Sequence, residues 1–172
     1  MTPLWTLDVE PALRDTPPLM SDYRIEKVRH RVELTLASGD RLEGDIFLQA
    51  FARFRAGPEE PIDVLNEPER FLPLVMSSGE ILLVQKTQIA VVSTELPEND
   101  YPAETGIVGM HAELTFSFGE TKRGSVFPEL RADQPRLVDF LNNTPLHFLP
   151  FFTADQLLLV SVAHIAYARP AN

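Results

Sequence analysis

With 25 Asp+Glu against 15 Lys+Arg over 172 residues, the chain presents an acidic surface that disfavours broad contact with phosphate backbones or anionic lipid. The absence of cysteine removes disulfides, thiolate catalysis and structural zinc fingers together. An apolar content of 44% suits a globular fold, and if the chain divides in two, each small half gains from packing on the other.

The opening stretch, MTPLWTLDVEPALRDTPPLM, has no basic region followed by an unbroken apolar core, so it does not read as a secretory signal. Four prolines (Pro3, Pro11, Pro17 and Pro18) forbid a continuous helix there. Its apolar groups cannot bury one another. Residues 1–30 are therefore expected to form an extended arm that lies either on its own domains or on a partner. Trp5 would be the anchor in the second case, since tryptophan is enriched at binding hot spots. Residues 24–31, RIEKVRHR, are the one basic run and fit a solvated strand entry or an acidic partner. Leu4, Trp5, Leu7, Arg24, Arg29 and Arg31 are the expected partner contacts.

After the arm, Val32, Leu34 and Leu36 alternate with Glu33 and Thr35, the period of a half-buried strand. Ser38-Gly39-Asp40 supplies a hairpin turn in which glycine tolerates positive φ. A second strand follows through Leu42, Ile46 and Phe47, and Gly44 within it signals a bend, a bulge or a close backbone approach. Pro61 suits the first turn of a short helix carrying Ile62 and Leu65. Asn66 stands at its C-terminal end, where asparagine accepts left-handed geometry. The FLP segment at 71–73 reads as extended, and strands near 80–85 and 88–93 close a first unit, residues 31–94.

ELPENDYPAETG lacks periodicity and reads as part of a linker over 95–110. A second unit, 111–169, then repeats the first. VELTLASGDRLEGDIF (32–47) and AELTFSFGETKRGSVF (112–127) share six identities in sixteen positions at an offset of 80, with both glycines in register. IDVLN (62–66) returns as VDFLN (138–142), FLPL (71–74) as FLPF (148–151) and ILLV (81–84) as LLLV (157–160). Order, spacing and residue type persist, which marks two copies of one supersecondary unit. Pro135 and Asn142 bracket the second short helix, with closing strands expected at 156–161 and 164–168.

Strand, turn, strand, short helical insertion and three closing strands describe a small, strongly bent barrel. VELTLASGDRLEG and AELTFSFGETKRG resemble the first Sm motif, and ILLVQKTQIAVV and LLLVSVAHIAYA the second. The resemblance covers about 120 residues and implies a mainly β fold: two tandem Sm-like or SH3-type barrels, each with a short helical insertion, plus the arm. The insertion signature D-[VF]-L-N…F-L-P-[LF] departs from the Sm pattern and is similar to that of uncharacterised bacterial domains. Sm-type RNA pockets pair an Asp/Asn set in the first motif with Arg-Gly in the second. Lys86-Thr87 and Val162-Ala163 stand at the Arg-Gly position here, so neither copy retains the pocket. RNA binding, through Lys86 or the 24–31 arginines, is the alternative reading.

No motif for catalysis, cofactor or metal stands out. Asp63, Asp139, Asn66 and Asn142 lack a nearby nucleophile or base and read as groups that satisfy helix backbone. His30, His111, His147 and His164 have no metal-ligand spacing, and His147 and His164 read as satisfied core or edge residues. A sensor or enzyme would need a polar-lined pocket between the halves. The expectation is a non-catalytic accessory or scaffold subunit without cofactor. It would be cytoplasmic, with the face of a bacterial membrane complex as one setting, and bound to a protein partner by its arm and exposed strand edges.

Overall fold

The computed structural model describes residues 27–96, 107–128 and 136–172, and they form a mainly β fold. The first half begins with β1 (Lys27–Leu36) and β2 (Arg41–Gln49), paired antiparallel from Thr35 opposite Arg41 to Lys27 opposite Gln49. Residues 27–30 thus belong to the sheet rather than to the arm, because β2 is long enough to pair with them. Gly39 turns the hairpin at φ 90°, and Gly119 turns its counterpart at φ 95°, the left-handed geometry expected of both.

Helix α1 (Pro61–Asn66) opens on its proline, and the Asp63 carboxylate accepts the Glu60 N–H at 2.8 Å. Strands β3 (Phe71–Met76), β4 (Ile81–Gln85) and β5 (Ile89–Thr94) complete the half, with a 3-10 turn at Lys86–Gln88 before β5. The second half repeats the sequence of elements: β6 (Met110–Phe116), β7 (Thr121–Val126), α2 (Leu137–Asn143), β8 (Phe148–Phe152), β9 (Leu157–Ser161), a 3-10 turn at Val162–His164, and β10 (Ile165–Pro170).

All ten strands join one sheet in the order β10-β6-β7-β8-β9-β5-β1-β2-β3-β4. Each half therefore lays its strands out in the same order, fifth-first-second-third-fourth. Even an irregularity is shared. Ala90 is the extra residue where β5 shifts register on β1, and Ala166 is the extra residue where β10 shifts on β6.

The glycine inside each second strand sits where the third strand joins it, Gly44 opposite Met76 and Gly124 next to the Ser125–Phe152 pair. A Cβ on Gly44 would lie 2.6 Å from the Val75 carbonyl oxygen, and one on Gly124 would collide with that of Phe152. Only glycine lets β3 approach β2, and β8 approach β7, so closely. Two apolar cores result. One gathers Val32, Leu34, Ile46, Leu65, Leu72 and Leu74, the other Leu114, Phe116, Val126, Leu149 and Phe151.

The expectation of left-handed asparagines at the helix ends is corrected by the structure. No described non-glycine residue has positive φ, and the residue after Asn66, Glu67, leaves the helix at φ −66° in extended geometry. Asn66 has a different task, described below.

Candidate interaction surface

The two halves meet where β5 pairs antiparallel with β9, Val92 opposite Leu159 and Thr94 opposite Leu157. Around this seam, side chains of one half reach the backbone of the other. Asn66, at the end of α1, accepts the N–H of His147 at 2.9 Å and of Phe148 at 3.0 Å through Oδ1. Its Nδ2 donates to the Phe148 carbonyl at 3.1 Å and to Ile62 O within the helix at 3.0 Å. His164 Nε2 lies 2.7 Å from Thr87 O, joining the two 3-10 turns, and Arg41 pairs with Glu120 at 3.5 Å. Phe148 and Leu159 of the second half enter the core of the first, beside Leu65 and Val92.

Lys86 holds α1 in the place that lets Asn66 reach across. Its Nζ donates to Val64 O and, at 3.1 Å, to Glu67 O, so a cation closes the C-terminal turn of the helix. Burial pulls the pKa of Lys86 below its ordinary value, against the opposing influence of Glu69 and Glu67. Glu67 responds in the other sense: burial raises its pKa, partly offset by Arg53. Glu120, hydrogen-bonded by Lys122, is held below the ordinary carboxylate range.

Away from the seam, β4 and β10 are the two ends of the sheet, and neither has a strand on its outer side among the described residues. The β4 end is apolar on its outer face. Phe71 is 50% exposed and Leu83 66% exposed, with Ile81 also exposed beside them. Pro73 opposes Leu83 across the β3–β4 ladder, and Val75 opposes Ile81, which sets these side chains in one contiguous strip. Phe51 and Phe54, in the loop before α1, add further exposed aromatic surface. Outward-facing apolar groups clustered on a free edge are the kind of surface that a partner covers.

Of the residues expected from sequence to bind a partner, Leu4, Trp5, Leu7 and Arg24 lie outside the described residues. Arg29 and Arg31 lie on β1, where both meet Asp45 of β2, and Arg31 also grips Glu43 at 2.7 Å. They are exposed, yet each is already engaged with its own ladder. Asp63, besides capping α1, accepts from Arg55 at 2.8 Å. His30 meets Thr94 Oγ1, and His111 meets Ser125 Oγ, each at 2.8 Å. A groove of about 200 Å³ beside α1 is lined by Arg53, Phe54, Ile62, Asp63, Asn66 and Leu146 among others, and reaches from the first half to the second. Its polar groups are already committed, since Arg53 faces Glu67 at 4.0 Å and Asp63 and Asn66 hold backbone. Among the described residues no buried polar side-chain atom is left without a partner and no cluster suits a metal ion. No described helix is long and apolar enough to cross a membrane.

Sequence reasoning missed Asn66 as the clamp between halves. The signal was its repetition as Asn142, which read equally well as helix capping. It also gave the FLP and ILLV segments no surface role, because their outward residues are as apolar as their inward ones. Comparison with protein-family models, with curated proteins and with solved structures finds no match.

Proposed function

We propose that the chain is a non-catalytic scaffold or accessory subunit, two small Sm-like or SH3-type barrels fused through one sheet, that is built into a larger protein assembly. The observation that carries this reading is the exposed strip of Phe71, Ile81 and Leu83 on the outermost strands. Covering the half to two-thirds of these three side chains that is still exposed would release about 1–2 kcal/mol each, a driving force left unused among the described residues. Free backbone groups along β4 add strand-by-strand recognition. The N-terminal arm, with Leu4, Trp5 and Leu7, supplies a second attachment, and Arg29 and Arg31 further along the chain are exposed and would reach a partner by exchanging or sharing their ion pairs with Asp45 and Glu43. A cytoplasmic position, including the face of a membrane complex, goes with this reading.

The RNA-binding alternative is weakened by Lys86, the cation nearest the expected pocket. That residue is only 8% exposed, and its ammonium is bound to helix carbonyls rather than offered to a phosphate. Native pull-down with mass spectrometry tests the scaffold reading. Deleting residues 1–22 should abolish co-purification of the partner, and retention of the same partners at the same yield would refute the role given to the arm.

A further inference from the structure

The two ends of the sheet are related to each other in the way that the two sides of the internal seam are related. At the seam, the second half contributes the outer face of its third and fourth strands, β8 and β9, and the first half contributes its fifth strand and its helix. The free β3–β4 end repeats the first contribution, and the free β10–α2 end repeats the second. Equivalent residues make the comparison direct. Phe148 is 3% exposed where its counterpart Phe71 is 50% exposed, and Leu159 is 1% exposed where Leu83 is 66% exposed. The side chains are the same; only the cover differs.

The opposite end carries the missing cover. Ile62 of α1 is packed against the core that receives Phe148, whereas its counterpart on α2, Val138, is 48% exposed. Asn66 makes its three bonds across the seam, whereas its counterpart Asn142 stands exposed at the end of α2. On β10, Tyr167 is exposed as well.

We propose that the β3–β4 face of one molecule is occupied by the β10–α2 face of a second copy of this chain, reproducing between molecules the seam that joins the halves within one. The proposal rests on reading the free edges as binding surfaces and names the partner at one of them. Carrying the seam's register over by equivalence sets Ala168 opposite Leu83 and Tyr167 opposite Val84. Asn142 then meets the backbone around Phe71 as Asn66 meets that around Phe148. Ala171 N–H donates inward to His111 O, so the alternate residue pair turns to the free edge: Ala168 offers its N–H there and Pro170 withholds one. The pairing is therefore shorter by one bond than the internal one, which suits a reversible contact. Because two different surfaces meet, each addition leaves one of each kind exposed, and the assembly continues until a ring closes or a filament grows.

Mass measurement by light scattering on the full chain, with the variants Leu83→Arg and Val138→Arg, tests this. Both positions are exposed, and circular dichroism checks that each variant folds; Ile81→Arg and Asn142→Arg serve as substitutes for a variant that does not. Wild type should run above the 19.3 kDa chain mass with rising concentration, and each variant alone should stay at it. Mixing the two variants leaves one intact surface of each kind, so a species of twice the chain mass should form and go no further. Mass in wild type that persists in both variants overturns the proposal. So does a dimer formed by the Val138→Arg variant alone, which would mean like edges pairing. Wild type that stays monomeric at submillimolar concentration also overturns it. If such a monomer assembles only once residues 1–26 are removed, the arm is the occupant. If it still recovers its partner in an arm-dependent pull-down, the scaffold reading stands without self-association.

Discussion

Asn66 shows how much one side chain can be asked to do. It satisfies one carbonyl in its own helix and three backbone groups of the other half, so its loss strands several polar groups at a largely covered seam. Asn66→Ala should destabilise the protein by about 2–3 kcal/mol in urea unfolding, whereas Asn142→Ala, at the exposed counterpart, should change stability by no more than about 0.5 kcal/mol in the monomer. Equal effects at the two positions would contradict the assignment. Glu120 gives a prediction with a pH signature. Its pKa is depressed in the folded state, chiefly by the Lys122 hydrogen bond. The stabilisation is therefore present above the ordinary carboxylate pKa and is lost as pH falls through the depressed one. Glu120→Gln should cost less than about 1 kcal/mol at neutral pH, a gap that closes on acidification. A gap that widened in acid would reverse the sign argued here.

At the scale of elements, the two second-strand glycines do one job and the turn glycines another. Gly44→Ala and Gly124→Ala press a methyl group into the facing strand, against carbonyl oxygen and a packed Leu74 or Phe151 side chain. Each should cost about 2–3 kcal/mol, near the upper end for overpacking. Gly79→Ala meets open space and pays only for a positive φ of 85°, about 1–2 kcal/mol. Differential scanning calorimetry of the three variants checks the order. Gly39 and Gly44, and their repeats Gly119 and Gly124, were readable in the sequence because φ and close approach are demands that few residues meet, whereas Gly79 was not singled out there. The alternating strands, the proline-led helix and the repeat itself were legible for the same reason. The seam was not. FLPL and FLPF are nearly the same string, yet Phe71 faces solvent and Phe148 lies in a core, because the difference is made by a strand and a helix far away in the chain. Asn66 and Asn142 were indistinguishable on the same ground.

For the whole molecule, duplication has turned what could be an association between separate units into a bond within one chain. The linker between β5 and β6 keeps the halves at high effective concentration, so the β5–β9 seam needs no help from mass action. The apolar strip at one end and the uncovered helix at the other are then what remains of the same contact. A scaffold made this way can meet partners at its arm and at its ends, while the middle of the sheet stays fixed. The joined sheet is the premise of the scaffold reading and of the assembly proposed above.

Hydrogen exchange followed strand by strand measures that premise most directly. If the halves share one sheet, amides of Val92 and Thr94 on β5, and their β9 partners, should exchange about as slowly as those at the centre of either half. Amides facing outward on β4 and β10 should exchange fast in dilute solution and slow as the protein is concentrated. Fast exchange at these seam-facing amides of β5 and β9, with the rest of each half protected, would show two separate units and contradict the account at its root.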